Sequence, residues 1–262
     1  VYANVYLYSS IAYLSQRISQ LEEENYQLRQ ALEAATKTQT VSGEYVGSEE
    51  APWIWVVGVY QSPSGEVGGL AMKLHVSISH GNGEIYVATK PKIGIALQEA
   101  AETARDVAFK LARVDPSKYR VDILIESASE SAEVQVVDGP SAGAAIAVLT
   151  YYALTGKEIS HSVVVTGQVD EEGNILEVGG LIQKAEAAAE QAGAKVFVVP
   201  KGQSVCRIPV VKEYHPAPWI TMRVVSGYKE VSLQQYLAEK GISIEVVEAS
   251  SVSELISLFA AS

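Results

Sequence analysis

The sequence is poor in the residues that build disulfide frameworks and metal centres. Its 262 residues contain one cysteine, Cys206, which excludes an intramolecular disulfide and a cysteine-rich metal site. The four histidines are scattered without HxxxH or HExxH spacing, so we expect no metal and no cofactor. No run of eighteen apolar residues occurs, so we expect no membrane span within these residues.

Basic residues are also scarce, with 20 Lys and Arg against 31 Asp and Glu and a formal net charge of -11. Binding to phosphate backbones needs clustered Lys and Arg, so a nucleic-acid partner is not expected. What the chain does contain is apolar residues, which make up 48% of it. That share and the chain length predict a substantial hydrophobic core in one or two domains.

The first 35 residues carry a heptad repeat, with leucine at every d position from Leu7 to Leu28. Isoleucine at a with leucine at d favours a parallel coiled coil of two helices, and Asn25 at one a position would fix the register. A lone amphipathic helix would show a wider apolar stripe. Residues 1–35 are therefore predicted to form a coiled-coil oligomerisation helix. The a and d residues are Leu7, Ile11, Leu14, Ile18, Leu21, Asn25, Leu28 and Leu32.

Four tyrosines, Tyr2, Tyr6, Tyr8 and Tyr13, lie in an uncharged stretch of sixteen residues at the start of the chain. Tyrosine is enriched where a helix leaves a bilayer. Two interpretations are equally favoured: a membrane anchor upstream of Val1, or tyrosines that pack on the coiled coil. A membrane-anchored and a cytoplasmic location therefore both stay open.

A polar linker is predicted over residues 36–52, and a single domain over residues 53–262. The linker is rich in Gly, Ser and Thr and shows no periodicity. After it, strand-like runs alternate with amphipathic helices, and several hairpins are expected, one of them in HGNGEIYVAT, residues 80–89. This interleaving predicts an α+β, or mixed α/β, fold.

A sharp corner in VQVVDGPSAGAAIAVL, residues 134–149, places Ser141 at the start of a helix predicted to end near Thr155. Asp138 or Gly139 can cap this helix, and proline suits its first position. The free N–H groups of Ser141 and Ala142 could hold a developing oxyanion. The small residues that follow suit either an approaching substrate strand or tight helix packing. Local physics alone favours a plain capped helix start.

A serine hydroxyl is a poor nucleophile without a base, and two side chains are candidates. His161 is the histidine nearest in sequence to Ser141, and triad partners meet in space rather than in sequence. Lys184 borders a helical stripe of Leu and Ala, where burial would lower its pKa towards neutrality. The residues alone favour the other interpretation of Lys184, a side chain that extends its ammonium into water.

Two segments together resemble the proteolytic domain of the Lon (S16) family of serine proteases. DGPSAG, residues 138–143, resembles the nucleophile motif of that family. TGQVDEEGNILEVGGLIQKAEAA, residues 166–188, resembles the segment that carries its lysine. Ser141 and Lys184 lie 43 positions apart, as in the family, and GEVGGL at residues 65–70 adds a weaker match. The resemblance extends from residue 53 to about residue 203.

The resemblance implies a role for each matching residue. Ser141 would be the nucleophile and Lys184 the general base of a Ser–Lys dyad. Thr166 would orient the lysine amine, and Asp138 matches the acidic residue beside the serine. The resemblance also implies polypeptide substrates and a compact fold of the ribosomal protein S5 domain 2-like type, often assembled as rings.

The chain departs from the family because no GxxxxGK[ST] phosphate-binding loop of an ATPase occurs in it. We therefore expect an ATP-independent serine endopeptidase that cleaves flexible or unfolded polypeptides. We also expect a homo-oligomer formed through the coiled coil and the protease domain, with a separate unfoldase as a further candidate partner. The alternatives are a catalytically inactive binding or assembly module and a Ser–His hydrolase using His161. The resemblance weakens after Gln203, and the role of residues 204–230 is open between substrate access and assembly.

Overall fold

The computed structural model describes residues 51–62, 65, 67–90, 92–127, 136–137, 139–217 and 219–261, together with four residues near the N-terminus. The chain divides into two compact units, Val1–Val46 and Gly47–Ser262. In the first unit, Arg17, Gln20, Leu21 and Gln27 are helical. The predicted coiled coil otherwise lies outside the described residues, as does the linker up to residue 50. Within the described part of the chain, no helix is long and apolar enough to cross a membrane.

The larger unit mixes strands and helices, which confirms the predicted mixed α/β class. Its strands are β1 (Trp53–Gln61), β2 (Val67–His80), β3 (Ile85–Lys90), β4 (Lys92–Ile93), β5 (Tyr119–Ser127), β6 (Val136–Val137), β7 (Val163–Val165), β8 (Gln168–Val169), β9 (Ile175–Leu176), β10 (Val196–Pro200), β11 (Val205–Ala217), β12 (Ile220–Ser232) and β13 (Glu245–Ala249). Its α-helices are α1 (Ile95–Ala112), α2 (Gly143–Thr155), α3 (Leu181–Glu190), α4 (Leu233–Glu239) and α5 (Val252–Leu258).

A four-stranded sheet in the order β1-β2-β5-β3 forms the centre of this unit. β2 runs antiparallel to both β1 and β5, whereas β3 runs parallel to β5. One face of the sheet packs against α1 and α2, because alternate strand residues are apolar and point to that side. The buried residues between these layers include Ile54, Leu74, Leu97, Phe109, Ile123 and Ile146.

The hairpin predicted at residues 80–89 is wrong in its pairing. Residues 81–84 do connect β2 to β3, but β5 lies between these two strands in the sheet. β3 and β5 are parallel, and parallel neighbours need a crossover connection, which α1 supplies here. The turn could be predicted from local residues, whereas the insertion of a later strand between its arms depends on tertiary packing.

A parallel three-stranded sheet in the order β13-β10-β7 forms a second layer of the unit. Val164 and Phe197 of this sheet join a second buried cluster with Ala185 of α3 and Leu237 of α4. Two short ladders pair β4 with β6 and β8 with β9. β7 ends directly before Thr166, so this layer brings the predicted Thr166 next to the segments that carry the other site residues.

β11 and β12 form a long antiparallel hairpin over the residues whose role the sequence leaves open. Large apolar side chains are exposed along it, among them Tyr214, Trp219 and Tyr228, with 83% of Trp219 accessible to solvent. The base of the hairpin is closed by a 2.8 Å hydrogen bond from the Leu233 N–H to the Ser204 carbonyl.

Candidate active site

Ser141 lies in a turn whose shape depends on the residue two positions before it. Gly139 has φ +109°, a region that glycine adopts far more readily than other residues. A 3-10 turn over Pro140–Ala142 follows, and α2 starts at Gly143. The helix predicted from Pro140 to about Thr155 is thus confirmed, with a tighter first turn. Ser141 is half-buried at this corner.

The turn around Ser141 is held by the backbone of Gly167. The Gly167 N–H donates to the Ser141 carbonyl at 3.0 Å, and the Gly167 carbonyl accepts from the Ala144 N–H, also at 3.0 Å. A Cβ atom on Gly167 would overlap the Ile175 side chain. The two crossed hydrogen bonds fix the start of α2 against the segment that follows β7.

The small residues at the start of α2 serve close packing. Gly143, Ala144 and Ala145 are buried, and a Cβ atom on Gly143 would lie 3.3 Å from the backbone nitrogen of Val169. Of the two interpretations of this run, tight helix packing therefore applies to residues 143–145. Ala142, the first small residue after the serine, stays half-buried.

Lys184 is buried in the second turn of α3, with only 4% of the residue exposed. The interpretation of its ammonium as extended into water is therefore wrong. Its Nζ donates a hydrogen bond to Thr166 Oγ1 at 3.2 Å. Burial disfavours the charged amine and lowers the pKa of Lys184 from 10.5 to about 8. Near pH 8, Lys184 is therefore a neutral amine in a substantial fraction of the molecules, and a neutral amine can accept a proton.

Thr166 connects the lysine to the serine turn. It follows β7 directly, is fully buried, and anchors its own N–H on the Val198 carbonyl at 3.1 Å. Its hydroxyl accepts from Lys184 and donates to the Ser141 carbonyl at 3.4 Å. The structure thus brings Ser141, Thr166 and Lys184 together, although they belong to three different elements.

The position relative to this cluster is described for only one of the other two candidates, His161. Asp138 lies outside the described residues. His161 is exposed and stacks on Trp53, with ring centroids 4.1 Å apart. It precedes β7 whereas Thr166 follows β7, so the strand separates the imidazole from the buried hydroxyl.

Gly167 is the residue of this cluster that the sequence did not reveal as a site residue. It stands inside the quoted motif, directly after Thr166, but nothing in its spacing distinguished it from an ordinary turn glycine. Its contribution depends on contacts with Ser141 and Ala144 that are distant in sequence. Among the described residues, no three His, Cys, Asp or Glu side chains come together as a candidate metal site.

Comparison with known proteins identifies the family. The family model described as the Lon protease (S16) C-terminal proteolytic domain matches residues 48–231. Lon protease 2 of Desulfotalea psychrophila is 32% identical over 183 residues, 67% of this chain and 22% of that protein. The Lon protease of Clostridioides difficile is 32% identical over 140 residues, 52% of this chain and 17% of that protein.

A third relative, the Lon protease of Desulforamulus reducens, is 28% identical over 193 residues, 72% of this chain and 22% of that protein. The chain thus spans about a fifth of the length of these relatives. Residues 48–231, which the family model matches, include both segments that carry Ser141, Thr166 and Lys184. The chain belongs to the Lon protease (S16) family, through the C-terminal proteolytic domain of that family.

Proposed function

We propose that this chain is a serine endopeptidase in which Ser141 and Lys184 form a catalytic dyad. The observation that carries the proposal is the buried Lys184 amine, which has a pKa of about 8 and a hydrogen bond to Thr166. A lysine can act as general base only when its pKa lies near the working pH. The hydroxyl of Thr166, tied to the Ser141 carbonyl, is in a position to orient that amine.

The reaction follows from these groups. The neutral Lys184 amine accepts the proton of the Ser141 hydroxyl while Oγ attacks the peptide carbonyl carbon, and a tetrahedral intermediate forms. The N–H groups of Ser141 and Ala142, at the start of the α2 segment, stabilise its oxyanion. Lys184 returns the proton to the departing amine, and water then hydrolyses the acyl ester. In this scheme Asp138 steadies the turn or pairs with Lys184 in the resting state.

The substrates are proposed to be flexible or unfolded polypeptides, cleaved by this chain without ATP. The fold is assigned to the ribosomal protein S5 domain 2-like type, over residues 53–262. The oligomer forms through the coiled coil of residues 1–35 and through the protease domain. A separate unfoldase and an anchor upstream of Val1 are candidate additions to this arrangement.

The decisive experiment measures cleavage of casein, an unstructured protein, without nucleotide. We expect activity from the wild-type chain and its loss in both Ser141→Ala and Lys184→Ala, while His161→Ala retains it. Activity that survives in Lys184→Ala but is lost in His161→Ala would replace the dyad with a Ser–His hydrolase. Wild-type protein that neither cleaves casein nor reacts with a fluorophosphonate probe would support the catalytically inactive binding module.

A further inference from the structure

The helix that carries Lys184 lies directly against a glycine of the central sheet. α3 crosses β2 at Gly69, where a Cβ atom would overlap the carbonyl oxygen of Gln183 and lie 2.9 Å from the Ala187 side chain. Only glycine permits this approach without a shift of the helix. The depth at which α3 sits, and with it the burial of Lys184, depends on this contact.

Gln191 secures the same contact from the C-terminal end of α3. Its Nε2 donates to the Gly69 carbonyl at 2.9 Å, and its Oε1 accepts from the Ala71 N–H at 2.9 Å. These backbone groups are ones that a neighbouring strand would engage, and the ladder between β2 and β5 has its last pair at Met72 and Ser127. The Gln191 amide therefore continues the pairing of β2 at the point where β5 ends.

Gln191 and Lys184 lie on the same side of α3. They are seven positions apart in the sequence, which corresponds to about two helical turns and about 10 Å along the axis. The amide thus fixes the rotation of α3 about its axis as well as its distance from β2. A helix free to turn would carry the Lys184 amine away from Thr166 and towards water.

We propose that Gln191 is a positioning residue for Lys184. The side-chain amide of Gln191 anchors α3 on β2 and so keeps the lysine amine shielded from water and beside Thr166. The proposal rests on the function of Lys184 as general base. Gln191 lies three residues beyond the segment that resembles the lysine motif, so the motif does not point to it.

The charges near Lys184 are consistent with Gln191 acting on the Lys184 pKa through the burial of the amine. Desolvation is the cause that lowers the Lys184 pKa, and no charged group adds to it among the described residues. The charged side chains on the elements packed around the amine include Glu186 and Glu190 of α3 and Lys73 of β2. Asp138 lies outside the described residues. A change in the position of α3 should therefore alter the pKa mainly through access of water.

The test compares the pH dependence of casein cleavage in the wild type and in Gln191→Ala. Loss of the anchor should hydrate the amine. The midpoint of the rise in activity with pH, which is set by the loss of the Lys184 proton, should then move from about 8 to about 8.7. Such a shift lowers the neutral fraction of Lys184 at pH 7 about fivefold, with a matching loss of activity.

Gln234 offers a matched control, because it makes the same kind of bidentate pair between α4 and the start of β13 rather than between α3 and β2. Its Nε2 donates to the Ile244 carbonyl and its Oε1 accepts from the Val246 N–H, both at 2.7 Å. Gln234→Ala should lower the thermal stability about as much as Gln191→Ala and leave the midpoint at the wild-type value. An equal shift in both variants, or none in Gln191→Ala, would overturn the positioning role.

A readout without catalysis separates this proposal from the proposed function. In a Ser141→Ala background, the pH dependence of Lys184 acetylation by trace acetic anhydride reports the pKa of the amine directly. The added Gln191→Ala change should raise that pKa, and an unchanged value would contradict the positioning role. If Lys184→Ala cleaves casein as the wild type does, the dyad fails, whatever the acetylation shows.

Discussion

The replacement Lys184→Met should make the protein more stable while it abolishes peptide cleavage. Methionine has an unbranched side chain of similar length, so it can fill the same space beside Thr166 without a buried charge. In the wild type, the folded state must either hold a buried ammonium or release its proton. That requirement opposes folding at neutral pH, and it disappears in the variant.

The size of the effect follows from the pKa of Lys184, which falls from 10.5 to about 8. Each pKa unit corresponds to about 1.4 kcal/mol, so the buried amine costs about 3 kcal/mol of folding free energy at pH 7. The lost hydrogen bond to Thr166 offsets about 1 kcal/mol of that gain. We expect the variant to be about 2 kcal/mol more stable, or to unfold about 6 °C higher for a domain of this size.

The pH dependence gives the sharper test. Between about pH 8 and pH 10.5 the unfolded lysine binds a proton that the folded lysine has released, so wild-type stability rises with pH over this window. Urea unfolding should show the advantage of Lys184→Met in full at pH 7 and no advantage at pH 10.5, where the lost hydrogen bond to Thr166 outweighs the remaining cost of the buried amine. Exposed Lys195, replaced by Met, is the control and should show no such trend. A variant that is less stable at pH 7, or whose advantage does not shrink with pH, would refute the reasoning.

Three further predictions concern neighbouring contacts. Thr166→Val removes the hydroxyl that accepts from Lys184, so in pH–rate measurements the maximal rate should fall about tenfold while the midpoint moves below 8, because the ammonium loses its partner. Gly167→Ala should lower the cleavage rate at least tenfold, since its Cβ would overlap Ile175 and displace the serine turn; a variant with wild-type kcat would contradict this. Tyr152→Phe loses a 2.6 Å hydrogen bond to a carbonyl of α5 and should cost about 1 kcal/mol in urea unfolding with unchanged kcat.

The sequence predicted which residues lie near one another better than it predicted their environment. The two motifs named Ser141, Thr166 and Lys184, and the structure brings these residues together. The burial of Lys184 could not be predicted from the sequence. The helical stripe shows which side of α3 is apolar, but not how closely a sheet approaches that side. That approach is set by Gly69, more than a hundred residues earlier in the chain.

The same limit applies to residues whose role depends on pairing between distant segments. The crossed hydrogen bonds of Gly167 and the amide pair of Gln191 join positions far apart in sequence. A glycine after a strand and a glutamine at the end of a helix are common, so local pattern cannot distinguish these two. The parallel pairing of β3 with β5 was missed for the same physical reason, since the intervening strand comes later in the chain.

The β11–β12 hairpin implies that this protein unfolds in steps. A ribbon of two strands with exposed apolar side chains has fewer buried contacts to lose than the central sheet, and two strands alone are only marginally stable in water. Its amide protons should therefore exchange with solvent through local opening, well before those of β2 and α2. A population with an opened hairpin and an intact Ser141 turn would exist under mild denaturant, and it would offer free strand edges to any extended polypeptide nearby.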